Sequence, residues 1–79
     1  MNRQSLNEKL LKAHEDENLT DLVELYTKAG NISEKAGDID AACFYFTHAY
    51  VFALDAGLEQ ASDLHWRLFQ YDRVEHLHK

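Results

Sequence analysis

Gly30 sits in the middle of a stretch that otherwise reads as one helix, and few positions constrain a fold more. A glycine inside a helix costs about 1 kcal/mol relative to alanine, so its presence points to a neighbouring helix that comes too close for a side chain. The chain has no proline and only three glycines, too few turn residues for a sheet-rich domain, so a few long helices are expected. Gly37 ends the helix that holds Gly30, because glycine takes a left-handed position after a helix without steric strain. Asp38 is then placed to cap the next helix, in which Ala42, Phe46, Ala49 and Ala53 fall within one narrow sector. Tyr45, Phe52 and Ala56 widen that sector on one side, and Ile39 and Tyr50 on the other. This is the element expected to be most buried.

The rest of the chain divides in the same way, giving an all-α unit of four helices over residues 5–14, 19–36, 39–56 and 58–74. Ser5-x-x-Glu8 has the form of a capping box, and Leu6, Leu10 and Ala13 give a short first stripe. Glu15-Asp-Glu-Asn18 is a polar break, with Asn18 or Thr20 available as the next cap. The second helix turns Leu22, Val23, Tyr26, Ala29 and Ser33 inward. Gly57 ends the third helix, and Leu58, Ala61, Leu64, His65 and Leu68 mark the inner face of the fourth. Residues 75–79 are expected to fray. Glu8/Lys12, Glu24/Lys28 and Asp63/Arg67 are acid-before-base pairs at helical spacing. No linker divides the 79 residues, so one domain is expected.

The positions Gly30, Gly37, Ala42, Phe46 and Ala49 resemble one tetratricopeptide repeat. Tyr26-x2-Ala29-Gly30-x2-Ser33 stands where that family writes Trp-x2-Leu-Gly-x2-Tyr, and Ala42-x3-Phe46 matches its Ala-x3-Phe. The likeness covers Val23–Ala56. It departs at Tyr26, Ala29 and Ser33, and Leu54 replaces the terminal proline. The resemblance implies two antiparallel helices touching along small residues, with Phe46 as an aromatic wedge, and it implies protein binding as the class of activity. It also implies that the first helix of the repeat lines a concave face, into which Glu24, Thr27, Asn31 and Glu34 point, with Lys35 at the margin. Asn31 is similar to an asparagine that bonds a ligand backbone in peptide-binding members. Thr27 stands where such members carry a lysine, which argues against a carboxylate clamp.

Composition narrows the function classes. A net charge of −6, with eight scattered Lys and Arg, argues against nucleic-acid and acidic-membrane partners. No apolar run approaches the ~20 residues of a membrane-spanning helix, and the first residues lack a signal-peptide core, so a cytoplasmic protein is expected. A single cysteine, Cys43, precludes an internal disulfide, and its place beside Phe44-Tyr45-Phe46 suits a small buried hydrophobe. His14, His48 and His65 fall on different helices. Asp72, His76 and His78 offer too few ligands on a terminal segment, so neither metal nor cofactor is expected. Asn31-Ile-Ser33 matches a glycosylation acceptor by pattern only. No phosphate loop, nucleophile elbow or zinc-protease motif occurs, and the chain is read as no enzyme.

The aromatic residues carry the functional reading. Phe44 and Val51 lie opposite the inner sector of the third helix, and Trp66 and Phe69 lie away from part of the inner stripe of the fourth. Aromatics dominate interface hot spots, so these four form a candidate contact patch with another protein or a second copy. The expected function is a small protein-interaction module, with a homodimer as one form of it because a chain this short cannot bury nine aromatics. One alternative is a purely structural homo-oligomer. Another, ranked below it, is a histidine-based bundle that binds a metal or small ligand.

Overall fold

The computed structural model describes residues 3–71, which form four α-helices and no strand. They are α1 (Arg3–Glu15), α2 (Leu19–Lys35), α3 (Ile39–Ala56) and α4 (Gln60–Gln70). The fold is therefore all-α. Two helix starts differ from the sequence reading. α1 begins at Arg3, so Ser5 lies inside the helix and is not its cap; nothing in Arg3-Gln4 stops a helix from extending upstream. α4 begins at Gln60 rather than at residue 58. It ends at Gln70, with Tyr71 as its cap, short of the expected residue 74; the fraying expected of residues 75–79 lies outside the described residues.

The three connections share one geometry. The amides of Asn18, Asp38 and Leu58 donate to the carbonyls of Ala13, Ser33 and Ala53 at 3.0, 2.9 and 2.9 Å. The preceding amides of Glu17, Gly37 and Gly57 donate to His14, Glu34 and Leu54 at 3.2, 3.0 and 3.2 Å. This is the paired bonding of a Schellman motif, and its central residue is left-handed each time, with φ of 52°, 82° and 67°. The motif thus recurs every 20 residues. Glycine satisfies it twice, whereas Glu17 carries a side chain into a region that disfavours one by about 1–2 kcal/mol.

The residue that closes each turn also opens the next helix. Asn18 and Asp38 accept the amides of Asp21 and Ala41, both at 3.1 Å. Leu58 has no side-chain acceptor. α4 opens instead with the amides of Ala61 and Ser62 on the carbonyls of Leu58 and Glu59, at 3.2 and 3.1 Å, a tighter turn that delays the helix proper to Gln60.

Backbones pack closely only between sequence neighbours among the described residues: α1 on α2, α2 on α3 and α3 on α4. Three-residue turns force consecutive helices to run antiparallel, and the chain winds forward without closing α1 onto α4. The core is centred on α3. Ala42, Phe46, Ala49 and Ala53 are fully buried there, as the sector predicted, with Val23 of α2 and Leu64 and Leu68 of α4 against them. Cys43 and Tyr50 are buried as well, and among the described residues no charged side chain joins this core.

Phe46 explains Gly30. A Cβ built on Gly30 would lie 2.4, 2.6 and 2.9 Å from three atoms of the Phe46 ring, well inside van der Waals contact. The close approach at Gly30 is made by this ring. The helices are held at the distance the ring allows, and the glycine is the hollow that receives it.

Candidate functional site

α2 presents Glu24, Thr27 and Asn31 along one face. With Val23, Lys28 and Gln60 at the start of α4 they line a shallow groove of ≈ 250 Å³. Thr27 and Asn31 are half-buried and Glu24 is exposed, so polar groups meet solvent over an apolar floor at Val23. Lys35 is exposed in the last turn of α2, where its charge suits the helix dipole. A larger hollow of ≈ 350 Å³ lies between α1 and α2, lined by Lys9, Lys12 and Lys28 and by Asp16, Asp21 and Glu24. Those charges cancel, and Lys12 pairs with Asp16 at 3.7 Å rather than with Glu8, so nothing there selects a ligand by charge.

Glu34 has a different occupation from the one its place on α2 suggested. Its carboxylate receives Arg67 Nη2 at 2.8 Å and the hydroxyl of Tyr71 on its other oxygen. Arg67 thereby pairs with Glu34, 33 residues away, and not with Asp63 one turn before it. The Arg67 guanidinium also lies 4.2 Å above the centre of the Phe46 ring. Gly30, Phe46, Arg67, Glu34 and Tyr71 thus form one stack from core to surface that ties α4 to both α2 and α3. The Tyr71 hydroxyl, and then the Arg67 guanidinium, hold the Glu34 carboxyl below its ordinary value of 4.5 against the contrary pull of partial burial. The same hydrogen bond raises the Tyr71 hydroxyl above 10.0.

These shifts have opposite consequences for stability. Glu34 titrates lower in the folded chain, so its ionised form stabilises above about pH 4.5, and that contribution is lost as pH falls through the lowered value. Tyr71 titrates higher, so its contribution is complete below about pH 10 and disappears as pH rises through the raised value. Glu34→Gln should therefore flatten the fall in melting temperature from about pH 5 to about pH 3. Thermal melts followed by circular dichroism provide the check; equal slopes in parent and variant would remove Glu34 from this linkage.

The aromatic residues singled out in the sequence do reach solvent. Phe44 is 57% exposed, Val51 44%, and Trp66 and Phe69 59% each. They form two pairs on different helices. Phe44 has Tyr45 and His48 as ring neighbours, at 5.4 and 4.5 Å between centroids. Trp66 and Phe69 stack on each other at 5.8 Å with 13° between planes.

A cluster around Tyr26 was not legible beforehand. His48 and Phe52 of α3 stack on the Tyr26 ring at 5.2 and 5.9 Å. His14 of α1 meets the Tyr26 hydroxyl at 3.1 Å and the Phe52 ring at 5.9 Å. His48 Nδ1 donates to the Phe44 carbonyl at 2.9 Å. Burial, reinforced by nearby Tyr45, raises the Tyr26 hydroxyl above its ordinary 10.0. The cluster fastens the end of α1 to α2 and α3. Helical spacing placed Tyr26 and Phe52 inward but gave no means of pairing them with a histidine on α1.

Among the described residues no three His, Cys, Asp or Glu side chains are grouped to hold a metal ion. Asp72, His76 and His78 lie outside those residues. No described helix is long and apolar enough to cross a membrane. Comparison of the chain with family models, curated proteins and solved structures returns no match.

Proposed function

We propose that the chain is a small protein-interaction module of tetratricopeptide-like build, cytoplasmic and without enzymatic activity. It binds a partner protein, or a second copy of itself, through its helical surfaces. The observation that carries this reading is the exposure of Phe44, Trp66 and Phe69, each more than half open to solvent although a full core is available. The groove of Glu24, Thr27 and Asn31 supplies a second surface, where backbone groups of an extended peptide would find polar partners. Glu34 and Arg67 are engaged with each other and do not line that groove.

The contact of Gly30 with Phe46, and the small residues flanking it, support the repeat assignment. The period differs. α2 and α4 start at Leu19 and Gln60, a spacing of 41 residues where the family has about 34. Leu54 in place of a proline leaves α3 free to run on to Ala56, which accounts for part of the excess.

The test is retention of host proteins by the immobilised chain, compared with Glu24→Lys/Asn31→Ala and with Trp66→Asp/Phe69→Asp. One of these pairs should abolish retention of a specific protein while helicity is kept. A parent that retains nothing, and is monomeric at every concentration, would leave the interaction reading without support.

A further inference from the structure

The outer faces of α1, α3 and α4 differ in how charge and apolar surface are arranged. α1 shows Glu8, Leu11, Lys12 and Glu15, both signs of charge around one leucine. On α4 the stacked Trp66–Phe69 pair covers a single turn, with Asp63 exposed one turn before it. α3 carries a longer row. Phe44, Val51 and Leu54 are 57%, 44% and 54% exposed, and steps of seven and three residues keep them on one side of the helix for about 15 Å. His48 continues the row, because its Nδ1 is taken by the Phe44 carbonyl and its ring lies against Phe44 and Tyr26. Leu54 also edges a shallow hollow of ≈ 240 Å³ at the seam with α4, shared with Tyr50, Ala61 and Ser62. Exposed Asp40 and Asp55 close the row at its two ends, fifteen positions and about 22 Å apart. Ile39–Ala56 contains no lysine or arginine, so the formal charge along this helix has one sign.

We propose, resting on the interaction reading above, that the outer face of α3 docks a cationic amphipathic helix of a partner protein. An apolar stripe along that helix lies on Phe44, Val51 and Leu54, and a lysine or arginine near each of its ends meets Asp40 and Asp55. The acids at the two ends select this occupant. A second copy of α3 fails in either direction. Antiparallel about the midpoint of Phe44 and Val51, each Asp40 faces an Asp55; parallel, each acid faces its own counterpart, and opposed like charges disfavour both. Nucleic acid and an anionic lipid surface are repelled by the same two carboxylates and by the net charge of −6. Because an acid stands at each end, the partner helix can run in either direction. One helix on one face hides less than a standard interface, so the complex is transient, and the charges act chiefly on how fast it forms.

The probe is a labelled synthetic helix of about 18 residues, with leucines along one face and lysines at both ends, followed by fluorescence anisotropy. The parent chain should bind it with a dissociation constant on the order of 10–100 µM. A twin with glutamate in place of lysine should not bind, nor should a scrambled peptide of the same charge. Phe44→Ser/Val51→Ser should weaken binding roughly 10-fold or more. Asp40→Asn/Asp55→Asn should weaken it roughly 5-fold and flatten its dependence on salt. Trp66→Ser/Phe69→Ser should leave it unchanged, with circular dichroism showing every variant helical. Binding of the scrambled peptide as tightly as the striped one would reduce the effect to general attraction by an acidic chain and overturn the assignment of α3. The assignment is equally overturned by a parent that does not bind, or by binding indifferent to the α3 changes. If such a parent still retains a host protein through the groove or α4, only the α3 partner falls; if it retains none, the interaction reading falls too.

Discussion

Gly30→Leu is expected to lower the melting temperature by roughly 5–20 °C. Even a Cβ at Gly30 would sit 2.4 Å from the Phe46 ring, so the ring or the helices would have to shift. The ring is fully buried, with Arg67 over its face. Overpacking of this kind costs about 1–3 kcal/mol and sometimes more, against a total stability of about 4–12 kcal/mol for a domain of this size. Gly30→Ala gives the sharper check. On an unobstructed helix it would stabilise by about 1 kcal/mol, so the clash must reverse the sign of the usual effect. A Gly30→Ala chain that melts above the parent would show that the ring does not fill the glycine's hollow. Phe46→Leu should partly rescue Gly30→Ala, and the double-mutant cycle should show coupling of about 0.5–3 kcal/mol, the range for residues in contact.

Phe46→Ala is expected to cost about 3–5 kcal/mol, a large share of the whole. The loss is spread over three helices, because this ring touches Gly30 of α2, belongs to α3 and supports Arg67 of α4. Truncation leaves a cavity and also removes the surface on which Arg67 lies, so α4 should loosen before the rest. Amide exchange across Gln60–Gln70 in Phe46→Ala should quicken more than exchange across Ile39–Ala56. Uniform quickening in both helices would mean that Phe46 stabilises the fold as a whole and has no special hold on α4.

The sequence made the helices and their central contact legible for local reasons. Gly37 and Asp38 announce a turn within two residues, and Gly30 in a helix demands an explanation that only a neighbour can supply. The outward positions of Phe44, Val51, Trp66 and Phe69 followed from helical geometry alone. Glu17 was hidden because its left-handed backbone has no glycine to mark it. The pairing of Arg67 with Glu34 was hidden because it depends on how α4 docks, whereas the local rule pointed to Asp63. The same omission made Glu34 look like a free groove residue. Where a property depends on two helices at once, helical spacing within each gives half of the answer.

Among the described residues, helices whose backbones pack closely only on the one before and the one after meet most of their native contacts early. No long loop has to close before the first stabilising contact forms, and the entropy lost at each step is that of one short turn. Topologies of this kind fold in about microseconds to milliseconds, and the absence of proline removes the slow isomerisation that delays many small domains. Growth can begin at any hairpin and spread outward. The α2–α3 pair, which holds the Phe46–Gly30 contact, is the expected seed, with the terminal helices expected to join last and open first.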